Sequence, residues 1–197
     1  MNPVSWSNMA RGVEKVRQRL LRVAAALGKA DIAYAVVGGN AVAAWVSRVD
    51  ASAVRNTRDV DILVRRSDFE RIKAALEGAG FVYRHFAALG RGTGLDAFLD
   101  SRDPQIRDAV HVVWAGEKVM RDSPEPSPEV SEASDAGEFQ LIDLEALVRM
   151  KLSAFRDKDR MHLRDLLAVG LIDSTWTKRF QAILADRLEA ILADPEG

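Results

Sequence analysis

Val36-Val37-Gly38-Gly39-Asn40, followed by Arg55-Asn56-Thr57-Arg58-Asp59-Val60-Asp61-Ile62-Leu63-Val64, decides the reading of this chain. One apolar run ends in two glycines, and a second opens with two aspartates one residue apart. Residues i and i+2 of a β-strand point to the same face, so Asp59 and Asp61 project side by side. Adjacent carboxylates repel and are costly to hold together without a cation between them. Hard oxygen ligands of this kind suit Mg²⁺, which takes one or two carboxylates plus substrate phosphates. The paired glycines offer backbone N–H groups to those phosphates. Alone, an Asp-x-Asp is usually a pair of solvated surface acids and a Gly-Gly is usually a turn. Their order and their flanking strands make the combination specific.

Working outward, Val13, Val16, Leu20, Val23 and Leu27 recur at helical spacing. They predict an amphipathic helix with a basic outer face, closing near Gly28. Ala33 to Val37 reads as a buried strand, Asn40 to Ser47 as a short helix, 48–58 as a loop and Val60 to Val64 as a strand. Ser67 with Glu70 three residues on predicts a capping box and a helix through Ile72, Ala75 and Leu76. Strands are expected at Phe81 to Phe86, Leu95 to Leu99 and Val110 to Trp114, with a flexible turn at 90–94. Residues 122–138 hold three prolines and six acids with no Lys or Arg, which predicts a linker or mobile surface loop. Phe139 to Ile142 reads as an edge strand. Asp143 is expected to cap a helix through Leu147 and Leu152. Further helices are expected from His162 to Val169 and from Ser174 to about Leu192.

The expected fold is therefore α/β (α+β), a mixed sheet of about four to six strands with flanking helices. Residues 1–30 form an N-terminal helix, 31–142 the core and 143–197 a C-terminal helical segment packed on it. The 197 residues are 48% hydrophobic, enough for one substantial core. Absence of cysteine excludes disulfides and thiolate chemistry. No apolar run reaches membrane-spanning length and residues 1–12 lack a signal-peptide core, so a cytoplasmic protein without membrane contact is expected. Net charge is −1, but residues 11–29 carry six Lys/Arg against one Glu. That run is either a solvated helix face or a contact surface for a polyanion.

The order Gly-Gly, helix, Arg-x-Thr-x-Asp-x-Asp resembles the DNA polymerase β-like nucleotidyltransferase superfamily, and most closely its bacterial AbiEii-type, toxin-like branch. The match covers roughly residues 33–64, with a weaker one over 143–167. The resemblance implies Mg²⁺-dependent transfer of a nucleoside monophosphate from an NTP to an acceptor hydroxyl on RNA, protein or a small molecule. It implies that Asp59 and Asp61 hold metal, two ions with NTP bound, and that Gly38, Gly39 and Asn40 receive the triphosphate. Arg55 and Thr57 complete the motif, either fixing the loop before Asp59 or touching phosphate. Where the superfamily places a third carboxylate, this chain has His111. An imidazole is a poor Mg²⁺ ligand, so His111 is either a general base or a hydrogen-bonded core histidine. Asp96 and Asp108 are alternative third acids.

The segment Lys151-Leu152, then Arg156 to Leu166, is similar to the AbiEii Lys-Leu…Arg-Asp-x-x-Asp-Leu stretch. There the lysine meets phosphates and a later aspartate supports catalysis, which implies these roles for Lys151 and Asp165. The same segment could instead be a solvated, salt-bridged helix pair. Arg156 and His162 also fit the loose pattern of HEPN-type ribonucleases, which so charged a segment can hardly avoid. The missing third acid and the acidic 122–138 segment keep a rival reading open: a non-catalytic nucleotide-binding or antitoxin-like protein with a basic partner.

Overall fold

The structure is a computed structural model that describes residues 6–87 and 94–196. The core of the expected flexible turn, residues 90–93, lies outside the described residues. A seven-stranded mixed sheet organises the chain, exceeding the four to six strands expected. In chain order the strands are β1 (Tyr34–Val37), β2 (Val60–Val64), β3 (Phe81–Phe86), β4 (Leu95–Asp100), β5 (Val110–Trp114), β6 (Ala133–Asp135) and β7 (Gln140–Ile142). In space they run β3-β4-β5-β2-β1-β7-β6. β1 is antiparallel to β2 and parallel to β7, and β2 is parallel to β5. The central strands read as continuous apolar runs because both faces are covered.

On one face, Val36, Val60, Ile62, Val64, Val110 and Val112 pack under α1 (Trp6–Lys29) and α3 (Phe69–Gly78). On the other, Ala35, Val37 and Leu63 meet α2 (Gly38–Ser47), α4 (Leu144–Ala154), α5 (Asp157–Ala168) and α6 (Ala182–Ala193). Period-two alternation therefore sends Asp59 and Asp61 to the face that carries the C-terminal helices.

Several local expectations change. The acidic segment contributes β6, which forms the sheet edge beside β7, so Phe139 to Ile142 does not lie at the edge. Ser123, Ser127 and Val130 of this segment are buried. The Ser67 capping box does not form, since Arg66–Asp68 make a 3₁₀ turn and α3 starts at Phe69 without a side-chain cap. The last helix is broken into a 3₁₀ turn, Ser174–Arg179, and α6.

The basic face of α1 is not wholly an outer face. Arg19 is buried and its Nη1 donates to the Arg58 carbonyl at 2.9 Å. Arg22 pairs with Asp100 and stacks over Phe81. Val13, expected in the apolar stripe, is exposed, while Val16 packs partly buried against the core and full apolar burial on α1 starts at Leu20 among the described residues.

Candidate active site

The site is built where β1 turns into α2. Val37 pairs with Asp61 across the sheet, and Gly38 follows at φ +66°. A Cβ on Gly38 would lie 1.9 Å from Asp61 Oδ2, so only glycine lets the helix start this close to the carboxylate. A Cβ on Gly39 would meet the Thr57 side chain at 3.0 Å. Val37 provides no side-chain cap to α2, so the first N–H groups of the helix have no cap from that residue. A helix start of this kind favours an anion.

Asp59 is held from three sides. Thr57 Oγ1 donates to its Oδ1 at 2.6 Å, Asn40 Nδ2 donates to its backbone carbonyl at 2.7 Å, and Lys158 Nζ lies 3.4 Å from its Oδ2. Burial pushes the Asp59 carboxyl up, but the Thr57 hydroxyl, Lys158 and His111 together hold it below its ordinary value. Thr57 and Asn40 are thus engaged in orienting Asp59.

His111 sits opposite Asp61 in the parallel β2–β5 ladder, the place expected for a third acid. Its Nδ1 is 3.4 Å from Asp61 Oδ1 and 3.6 Å from Asp59 Oδ2. Burial alone pushes the imidazole down, yet the hydrogen bond to Asp61 and the charges of both aspartates carry it above 6.5. His111 is therefore a member of the polar cluster and not a core histidine.

Asp59, Asp61 and His111 each offer a ligand atom within 4.8 Å of the others. Two carboxylates and an imidazole suit a divalent cation, and the carboxylate pair alone suits Mg²⁺. The cluster opens into a cleft of about 630 Å³ whose walls include Gly38, Gly39, Trp114, Met150, Lys151 and Lys158.

The other sequence candidates are not bonded to the Asp59–Asp61 pair. Lys151 lines the cleft but is buried, and its Nζ lies 3.0 Å from Asp159 Oδ1. Arg156 Nε meets the second oxygen of Asp159 at 2.6 Å. Burial raises the Asp159 carboxyl, and Lys151 and Arg156 bring it below its usual range. Arg55 and Asp165 pair at 2.7 Å on a smaller crevice of about 330 Å³ between α2 and α5. That crevice does not contain Asp59, Asp61 or His111. Asp96 lines the cleft too, but accepts from Tyr83, His85 and Trp114 and so has its own partners. Asp108 does not line the cleft and lies near Arg19. Arg156 is bound to Asp159, while His162 is buried on the smaller crevice.

Sequence reasoning missed Lys158, the one lysine recorded against the carboxylate pair among the described residues. Its signal is weak: it stands in the first turn of α5, which faces the cleft because Phe155, at φ 49°, reverses the chain after α4.

A glycine-opened helix start against a strand-borne carboxylate pair, on a mixed sheet, is the arrangement that the nucleotidyltransferase resemblance implies. The chain belongs to the family described as uncharacterised nucleotidyltransferase, whose profile matches residues 5–122. No curated protein matches the sequence. Among solved structures, the "putative nucleotidyltransferase from H. pylori" is similar at 16% identity. That match covers 98% of this chain and 80% of that one, with a TM-score of 0.51. The solution structure of the antibiotic-resistance factor ANT(2″)-Ia is similar at 18% identity over 91% of this chain and 93% of that one, with a TM-score of 0.49.

Proposed function

We propose that the protein transfers a nucleoside monophosphate from an NTP to an acceptor hydroxyl in a divalent-metal-dependent reaction, as the AbiEii-type resemblance implies. The observation that carries this reading is the approach of Asp61 to the helix start at Gly38, with Asp59 and His111 beside it. Asp59 and Asp61 would hold the cation, which when bound as one or two Mg²⁺ neutralises phosphate charge and stabilises the attacking and leaving oxygens.

The chain's own residues do the rest. Gly38 and Gly39 present N–H groups to the triphosphate. Thr57 and Asn40 hold Asp59 in one orientation. A proton on His111 Nδ1, facing the carboxylates, leaves Nε2 as the free base of the ring. The acceptor oxygen bonds to the α-phosphorus, the bond from that phosphorus to the bridging oxygen breaks, and pyrophosphate leaves. The hydroxyl proton passes to His111 Nε2. Asp165 supports this site only through Arg55 and the loop ahead of Asp59.

The acceptor is a protein or small-molecule hydroxyl in preference to RNA, because Arg19 and Arg22 are engaged inside the fold. No described helix is long and apolar enough to cross a membrane, and NTP supply favours a cytoplasmic site of action. Incubation with labelled NTPs, a cell-protein pool and a small-molecule pool tests the reading. Wild type should label an acceptor and an Asp59→Ala, Asp61→Ala variant should not; equal labelling defeats it.

One observation favours a second reading, a nucleotide-binding or antitoxin-like protein without turnover. His111 and Lys158 both lie against the carboxylate pair and can neutralise it without metal. Calorimetry showing NTP binding without transfer to any acceptor, or co-purification of a small basic protein, selects this alternative.

A further inference from the structure

Lys118, Lys151 and Lys158 line the cleft, and the two on the C-terminal helices differ in freedom. Lys151 is buried to 7% side-chain exposure and bonded to Asp159, which is itself 1% exposed. Drawing Lys151 toward a ligand would remove one of the two cations that neutralise a buried carboxylate. Lys158 has no such tie. Its side chain is 47% exposed, and its Nζ lies 3.4 Å from Asp59 Oδ2. It lines both the main cleft and the smaller crevice, as Gly39 does. The lysine stem is long and flexible, and its ammonium is a point charge that binds phosphate without fixed geometry.

We propose that Lys158 is a movable counter-cation: it neutralises Asp59 in the empty site and transfers to the nucleotide phosphates when a divalent cation takes the carboxylates. The inference rests on the nucleotidyltransferase reading and assigns a residue that reading does not use. A divalent ion at Asp59 and an ammonium on the same oxygen repel each other, so Lys158 must leave as the ion enters. The nearest new negative charge is the triphosphate at the helix start of α2, beside Gly39, which already lines the same two spaces.

Removal of the charge then acts in opposite directions on metal and on nucleotide. The test uses the full chain, Mn²⁺ alone as one probe and α,β-methylene-ATP with saturating Mn²⁺ as the other, both read by calorimetry. Lys158→Met should bind Mn²⁺ alone about threefold more tightly, the size of a half-exposed ion pair. It should bind the nucleotide analogue about tenfold more weakly, the size of a lost bond to a charged group. Lys158→Arg should keep analogue affinity within about threefold of wild type, since the charge remains. Thermal melting of both variants should match wild type, because the side chain is half exposed. Unchanged or weaker Mn²⁺ binding by Lys158→Met, or unchanged analogue binding, overturns the proposal. Failure of the wild type to bind α,β-methylene-ATP and likewise the GTP, CTP and UTP analogues would defeat the nucleotidyltransferase reading instead. The Mn²⁺ titration needs no nucleotide and decides the counter-cation role separately.

Discussion

Gly38→Ala should disable the site while leaving the rest of the sheet intact. The added Cβ would lie 1.9 Å from Asp61 Oδ2, 2.6 Å from its Cγ and 2.8 Å from its Cβ. Non-bonded heavy atoms prefer about 3.5–4.0 Å, so the carboxylate must move by more than an ångström or the helix start must retreat. Gly38 also has φ +66°, and an alanine held there costs about 1–2 kcal/mol. Forcing Asp61 off its rotamer adds about 1 kcal/mol. For a chain of this size such a loss lowers the melting temperature by roughly 4–10 °C.

The functional loss should exceed the stability loss. Mn²⁺ binding and nucleotidyl transfer both depend on Asp61 staying beside Asp59, whereas the hydrophobic layers do not. Gly39→Ala is the internal control. The nearest atoms to its Cβ would be those of the Thr57 side chain, from 3.0 Å, and no positive φ is required, so it should melt closer to wild type. Melting by circular dichroism and Mn²⁺ titration of both variants check this. A Gly38→Ala protein that melts within about 1 °C of wild type and binds Mn²⁺ equally well would refute the close approach on which the site is built.

Other expectations follow from the same geometry. Lys151→Met should destabilise the fold by about 3 kcal/mol, because Asp159 keeps only Arg156 as its partner; chemical denaturation measures this, and a neutral effect would contradict the buried pair. His162 is neutral in the fold, with burial first and Lys151 and Lys158 next pushing it down to about 4. Its folded value lies below the unfolded 6.5, so stability is present above pH 6.5 and is lost as pH falls toward 4, by about 3 kcal/mol at most. His162→Leu should flatten that acid limb in denaturation curves taken from pH 7 to pH 4. The sign reverses for His111, whose folded value is raised. Its stabilising contribution is full below about 6.5 and is lost as pH rises through the folded value. Transfer, which needs the neutral ring, should increase over the same rise, and His111→Gln should remove that limb from the pH–rate profile.

Much of the site was legible because it depends on short-range rules. Strand alternation puts Asp59 and Asp61 on one face whatever surrounds them. Glycine is the residue that tolerates the turn at 38, and the apolar runs at β1, β2 and β5 announce strands buried on both sides. The position of His111 was expected from the superfamily resemblance, which puts the third acid on a neighbouring strand, and the residue lies opposite Asp61.

What remained hidden depends on contacts far apart in the chain. Helical periodicity assigned Arg19 and Arg22 to solvent, but Arg19 finds the Arg58 carbonyl, and Arg22 finds Asp100, 78 residues away. A long basic side chain can bury its stem and still meet an oxygen, and no local pattern reports where that oxygen lies. Residues Ala133–Asp135 carry no strand pattern and become β6 only by pairing with β7. Likewise, of two lysines seven residues apart, the resemblance singled out Lys151 and not Lys158. Packing buries the first against Asp159, and the reversal at Phe155 swings the second over Asp59. The sequence alone determined that Asp59 and Asp61 share one strand face behind a glycine pair, because that follows from residue type and strand period. Only the tertiary structure decided which cation is free to meet them, because burial and long-range pairing set a charge's freedom.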